Sequence, residues 1–276
     1  MEVFQMSKEV TLETIALRMK KAESMIKFYK NILGFILKNE ENNLSIFGTK
    51  EIGSQLLILE DVSYKVVEVA EEKKLARFTL LIPTEDEFIS VLKRLEAFHY
   101  PINKASENKY EQSLLLEDPD GNEIEILHKS SFVLCDEERV LDQQKLLKKS
   151  TINHKILSPE VKFSKLYLNV ESVSEMSLFY QKILGMSVEG EDQRQLSIDN
   201  ANLSVYLQES KFNQSVETAE DRLGVDFFIS YLEDKEAMIN LKKHLENKKM
   251  DFFIDKKMKI LTIFDPSGIE WWFIRK

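Results

Sequence analysis

The stretch FYKNILGF, Phe28 to Phe35, returns almost unchanged as FYQKILGM, Phe179 to Met186, 151 positions later in a chain of 276 residues. A repeat of this kind constrains the fold strongly, because a repeated supersecondary unit has to bury the same faces each time it occurs. In the first copy, KAESMIKFYKNIL puts Met25, Ile26, Phe28, Tyr29, Ile32 and Leu33 on a helical stripe, and Gly34 follows where a helix stops. The strand-like ETIALRM, Glu13 to Met19, precedes it, and FILKNE, NLSIFG and SQLLILE follow as short strands. The unit reads strand, helix, strand, strand, strand.

That order recurs. ARFTLLIP is a strand closed by Pro83, and TEDEFISVLKRLEAF is a helix with Thr84 as N-cap and Glu87 at the capping-box position. Strands around YPIN, YEQSLLLE and NEIEIL complete the second unit, with the turn DPDGN, Asp118 to Asn122, between the last two. KLYLNV, SVSEMSLFYQKIL, MSVEGE, QLSIDN and NLSVYLQ form a third unit. VDFFISYL, KEAMINLKKHLENKK and MKILTIFDPSGIEWWFIR form a fourth, whose turn DPSG stands 147 positions beyond DPDG. Helix and turn landmarks therefore repeat at nearly one offset. Between the halves, DEERVLDQQKLLKKS carries Val140, Leu141, Leu146 and Leu147 and reads as a linker helix, while TINHKILSPEV reads as extended chain. A connection of that size with an apolar stripe is expected to pack on one module. The reading is an α+β chain of four βαβββ units, with modules at 1–129 and 163–276 and a linker at 130–162.

The chain is long enough for two compact cores. Its 38 basic and 47 acidic side chains give a formal charge of -9, which repels nucleic acid and anionic lipid, so neither is an expected partner. The single cysteine, Cys135, excludes an intrachain disulfide and a cysteine-only metal cluster. The N-terminus lacks the basic start and apolar run of a secretory signal, and no apolar run is long enough to span a membrane. A cytoplasmic protein is the expectation. Glycines are few, and no P-loop, dinucleotide-binding glycine cluster or GxSxG setting occurs.

FYKNILGF, LARFTLLIP, DPDGNEIEI, FYQKILGM and DPSGIEWWF, at their spacing, resemble the vicinal oxygen chelate superfamily, which includes glyoxalase I, bleomycin-resistance proteins and extradiol dioxygenases. The likeness is greatest to two-module bacterial proteins of the catechol 2,3-dioxygenase type. The resemblance implies paired βαβββ units curled into an open cup. In metal-dependent members, ligands at the starts of the first and fifth strands and on the last strand hold Fe, Mn, Ni or Zn there, often with one from the fourth strand. Carried onto this chain, the position fifteen residues before Tyr29 is Thr14, the start of the fifth strand is Arg77, and the carboxylate after DPDGN is retained as Glu125. The second half has Lys165, Phe227 and Trp272 at the matching positions. Glu60 and Glu209 are substitutes only under a shifted register, and His99, His128, His154 and His244 match no ligand position.

A guanidinium stays protonated and does not coordinate metal. Arg77 and Glu125 are expected on one cup, either as an ion pair closing the former metal site or with Arg77 free to meet an anionic or carbonyl ligand. Phe227 and Trp272 are expected to face a second cup near Lys165, as an aromatic pocket or as collapsed core. Three readings stay open. The first is a member without the metal that binds a small organic ligand and needs no cofactor. The second is an enzyme with one divalent metal, either an extradiol dioxygenase activating O2 and a catecholate or a glyoxalase-like lyase stabilising an enediolate. The third is a dimeric structural or interaction protein, a homo-oligomer being a possible assembly.

Overall fold

The structure is a computed structural model that describes residues 10–64, 73–133, 135, 137–198, 203–210 and 223–275. The four βαβββ units are all present. The first comprises β1 (Thr11–Met19), α1 (Ala22–Lys27) with a π-helical continuation over Phe28–Leu33, β2 (Ile36–Glu41), β3 (Leu44–Gly48) and β4 (Leu57–Asp61). The second comprises β5 (Leu75–Ile82), α2 (Glu85–Ala97), β6 (Lys104–Glu107), β7 (Glu111–Glu117) and β8 (Glu123–Lys129). A short strand β9 (Arg139–Val140) and helix α3 (Gln143–Leu147) lie in the connection. The third runs β10 (Lys162–Val170), α4 (Val173–Lys182), β11 (Ser187–Glu189), β12 (Gln195–Ile198) and β13 (Leu203–Glu209). The fourth runs β14 (Gly224–Leu232), α5 (Lys235–Lys248), β15 (Phe253–Ile254), β16 (Ile260–Phe264) and β17 (Glu270–Arg275). Among the described residues no helix is long and apolar enough to cross a membrane.

The described chain forms two compact units that interleave along the sequence. One takes the residues up to Arg18, the stretch ending at Ala76, and Ser164 onward; the other takes Met19–Tyr64 and Arg77–Phe163. In the first unit β15, β16, β17, β14 and β1 are successive neighbours, with β14 parallel to β17 and antiparallel to β1. The same unit holds β11, β12, β13 and β10 in that order. In the second unit β2, β3 and β4 are neighbours, and so are β5, β8, β7, β6 and β9. The opening strand of the chain thus takes a partner from the fourth unit.

Strands β8, β13 and β17 pack against α2, α4 and α5 respectively. On β5 and β8 the residues Phe78, Leu80, Ile82, Ile124 and Ile126 are buried, covered by Phe88, Leu92 and Leu95 of α2. Thr84 caps α2 as its spelling predicts, its hydroxyl accepting from the Glu87 amide at 3.3 Å. The Glu87 carboxylate, buried, accepts instead from the amide and hydroxyl of Ser158 at 2.7 and 2.8 Å. The capping-box residue therefore ties the connecting segment to the helix.

The FY repeat and the DPxG turn belong to one device. Tyr29 is fully buried, and its hydroxyl donates to Asp118 Oδ2 at 2.9 Å. The other oxygen of Asp118 accepts from the amides of Asp120 and Asn122, and the Asn122 side chain donates to Oδ2. In the second copy, Tyr180 donates to Asp265 Oδ2 at 2.9 Å, while Oδ1 accepts from the amides of Ser267 and Ile269 and from the Ser267 hydroxyl. Burial, and then the neighbouring carboxylate, push both tyrosine hydroxyls well above their usual range. Burial also raises the Asp265 carboxyl against the pull of its hydrogen bonds. The tyrosine of one βαβββ unit thereby fixes the turn that launches the last strand of the next.

The end of the first FY helix has a second clamp. Gly34 takes φ +89°, and a Cβ there would lie 2.8 Å from an Arg94 guanidinium nitrogen. Arg94, buried on α2, donates to the carbonyls of Ile32 at 2.7 Å and Leu33 at 2.8 Å and also to that of His154. Burial pulls its pKa down to about 10, with Glu87 acting the other way, so it stays charged at neutral pH. With Lys93 Nζ bonded to the carbonyls of Ser150 and Ile152, and the Leu157 amide bonded to Gly34, the connection packs on the second unit. Its helix is only Gln143–Leu147, with Leu141 and Leu146 buried and Val140 exposed on β9. Two further differences from the spelling are local. The strand expected around YPIN begins only at Lys104, past Pro101, which has no amide to donate. The first FY helix ends in π winding, with the Gly34 amide bonded five residues back to Tyr29.

Two outcomes test these clamps. Arg94→Met strands three carbonyls and is expected to lower unfolding free energy by on the order of 3 kcal/mol, with Arg94→Lys recovering less than half of it. Urea denaturation measures both. The raised Asp265 carboxyl contributes stability that is fully present below its unfolded pKa and is lost as pH rises through the folded value. The stability difference between the wild type and Asp265→Asn is therefore expected to move against the wild type as pH climbs above the ordinary aspartate value of 3.8. Tyr180→Phe removes a bond that holds this pKa down, so it is expected to carry the same loss to higher pH.

Candidate functional site

The pairing of β1 with β14 gathers three of the carried-over positions on one face of the first unit. Thr14 stands opposite Ile229, Ile229 opposite Trp272, and Trp272 opposite Thr262, so these four point to one side of the sheet. Phe227, two residues before Ile229, shares that side. Its ring lies over the Trp272 indole with centroids 5.0 Å apart and planes inclined by 23°. The opposite side, with Phe228, Trp271 and Phe273, is apolar core and touches the Tyr180 ring through Trp271. Thr14 is completely buried and Thr262 nearly so, while Phe227 and Trp272 are half-buried. The Trp272 Nε1 is shielded from solvent and has no hydrogen-bond acceptor among the described residues. An indole N–H left in that state costs free energy until an acceptor arrives.

Lys165, expected near Phe227 and Trp272, lies on a different sheet of the same unit. On β10 it stands opposite Ser204, in a row that continues through Ser197 to Ser187. One step along, Tyr167 and Tyr206 stack at 4.7 Å and 12°. That tyrosine pair escaped sequence reading, although KLYLNV and NLSVYLQ both place a tyrosine at the same alternation. Glu209 pairs with Val170 and so points away from the Lys165 face. Strand alternation removes it as a substitute ligand.

In the second unit Arg77, Thr79, Glu123 and Glu125 share the side of β5 and β8 away from α2. The expected ion pair of Arg77 with Glu125 is not the one formed. Arg77 Nε lies 3.8 Å from Glu123 Oε2, directly opposite in the parallel register, whereas Glu125 accepts from the Thr79 hydroxyl at 2.6 Å. Register explains the change: Glu125 falls opposite Thr79, two residues further along. Glu60 is half-buried on β4 and accepts from the Asn43 side chain at 3.1 Å.

The histidines serve elsewhere. His128 is buried beside the Phe88 ring, its Nδ1 3.1 Å from the Ile82 carbonyl. His244 Nε2 lies 3.0 Å from the Lys182 carbonyl, with its pKa lowered by burial. The His154 amide donates to the Ser90 hydroxyl, and His99 lies just past α2 with φ 50°. Among the described residues no three His, Cys, Asp or Glu side chains form a metal-ligand group. The donor sets do not suit the superfamily's metal. Thr14, Phe227 and Trp272 offer no imidazole or carboxylate, and a cation at Glu125 would share its face with the Arg77 guanidinium.

Residues 11–126 match the family model of the Glyoxalase/Bleomycin resistance protein/Dioxygenase superfamily, and residues 158–273 match that of the CppA C-terminal region. Among solved structures, the cppA protein from Streptococcus pneumoniae TIGR4 is similar over 99% of this chain and 100% of its own, at 16% identity and a TM-score of 0.71. Glyoxalase I from Zea mays is similar over 97% of this chain and 92% of its own, at 12% identity and a TM-score of 0.59. These likenesses carry the fold. No curated protein matches the chain in sequence.

Proposed function

We propose that this chain, whose residues 11–126 match the glyoxalase/bleomycin resistance/dioxygenase superfamily model, binds a small ring-bearing organic molecule without a protein-held metal. The Phe227–Trp272 face is the proposed site. The observation that carries this reading is the stacked pair of rings with a solvent-shielded, unpartnered Trp272 N–H, at positions where relatives place metal ligands. A flat ligand adds a third ring to the stack, and a carbonyl or hydroxyl oxygen on it accepts from the indole. Thr14 and Thr262, on either side of the same row, shape the ends of the face. Specificity then comes from ring shape and one buried donor, and a molecule lacking the acceptor leaves that donor unpaired.

Catechol is a suitable probe, since it combines a ring with oxygen acceptors and is also what an extradiol dioxygenase would open. Chelator-treated protein is expected to bind it saturably, read by tryptophan fluorescence or calorimetry, and to release it chemically unchanged. Trp272→Ala should weaken binding by about tenfold or more, equivalent to about 1.4 kcal/mol. Binding that appears only after Fe, Mn, Ni or Zn is added, or ring-opened product, would contradict the reading.

A further inference from the structure

A cleft of about 400 Å³ opens in the second unit on the α2 side of its sheet, the opposite side from Arg77, Thr79 and Glu125. Its place follows from register: Gln112 on β7 stands opposite Glu107 on β6 and His128 on β8, and His128 faces α2. The connecting segment roofs it. Leu141 and Leu146, both buried, form an apolar wall, and the cations Arg139, Lys145, Lys148 and Lys149 surround the opening. Against these four stand only two carboxylates, Glu107 and Asp142. Both are engaged: Glu107 accepts from Arg139 Nε at 2.8 Å, and Asp142 accepts from the Lys145 amide at 2.9 Å. Lys149 reaches Glu85 at 2.5 Å, whereas Lys145 and Lys148 have no carboxylate partner among the described residues. A local excess of positive charge in a chain of formal charge -9 favours an anion.

A second observation points to the ligand independently of charge. Gln112 is 3% exposed, and its Nε2 lies 3.5 Å from Glu107 Oε2. Its Oε1 is shielded from solvent and accepts no hydrogen bond among the described residues. A buried amide oxygen without a donor is costly. The terminal torsion of glutamine is broad, so a turn of the amide presents that oxygen to a molecule in the cleft. The volume suits a metabolite.

We propose that this cleft binds a small organic anion, a phosphate or carboxylate that also carries a hydroxyl or amino group. Lys145 and Lys148 take the anionic group, Gln112 Oε1 accepts from the hydroxyl or amine, and Leu141 and Leu146 cover the carbon skeleton. The site is separate from the Phe227–Trp272 face.

Two-dimensional NMR of the full-length 15N-labelled protein tests this. The probes are sn-glycerol 3-phosphate and glycerate, one skeleton with two anionic groups, against glycerol and sulfate. The phosphate, the carboxylate or both are expected to shift the amides of Lys145 to Lys149 and the Gln112 side-chain amide saturably, the tighter probe naming the anion. Glycerol should leave them unmoved, and the Trp272 indole signal should stay fixed throughout. Lys145→Met with Lys148→Met should weaken binding by about tenfold or more. Gln112→Met should bring the tighter probe down to the affinity of sulfate without altering sulfate itself. Unchanged amide signals of Leu80 and Ile124, buried in the core of the same second unit, establish that the variants fold. The proposal is overturned if no saturation occurs up to about 10 mM, if glycerol binds equally well, if the shifts fall at Trp272 instead, or if either variant leaves its contrast intact.

Discussion

The hydrogen bond from a buried tyrosine to a buried aspartate, made once by Tyr29 with Asp118 and again by Tyr180 with Asp265, is the constraint on which the rest of the fold depends. Each βαβββ unit has to be set against a neighbour, and apolar packing alone leaves that docking loosely specified. A phenol with a single buried acceptor fixes it. Because the aspartate also collects the amides of its own turn, the bond orients the strand that follows, β8 in one case and β17 in the other. Those strands carry Glu125 and Trp272. The geometry of the candidate sites is thus inherited from a polar contact in the core. The two copies are not identical: Asp120 accepts from the Lys20 amide at 2.7 Å, whereas Ser267 occupies the equivalent turn position and bonds back to Asp265.

The duplicated scaffold has kept its framework and changed what it displays. On the first unit's face, a buried threonine and two stacked rings stand at positions that the resemblance assigns to metal ligands. On the second unit, the Arg77 guanidinium forms its pair with Glu123, leaving Glu125 to the Thr79 hydroxyl. Likeness to the superfamily carries the architecture, but function has to be argued from these side chains. An aromatic face with one unpaired donor supports recognition of a flat molecule more readily than Lewis-acid chemistry.

Much of the fold was legible in the sequence because periodicity and punctuation are local. The FY stripe ending in glycine, the Thr84 cap and the DPxG turns all lie where their spelling puts them. The partner of each strand was not legible. Alternation states which face of a strand is buried and says nothing about which strand lies beside it, so the spelling groups Thr14 with Arg77 and Glu125, whereas β1 pairs with β14. The same limit hid the tyrosine–aspartate bond, since Tyr29 and Asp118 are 89 positions apart and belong to different repeats. Glu87 reads as a capping-box residue and Arg94 carries no signal of its own, and only the return of the connection across α2 makes them buried clamps. Sequence marks the six candidate site residues one at a time. Their grouping needed coordinates.

The central claim is that the superfamily's metal site has been replaced by side chains that do not hold a metal. Elemental analysis of protein purified without chelators measures this most directly. The account predicts Fe, Mn, Ni and Zn each far below one atom per chain. Near-stoichiometric content of any of them, lost in Glu125→Gln, would contradict it.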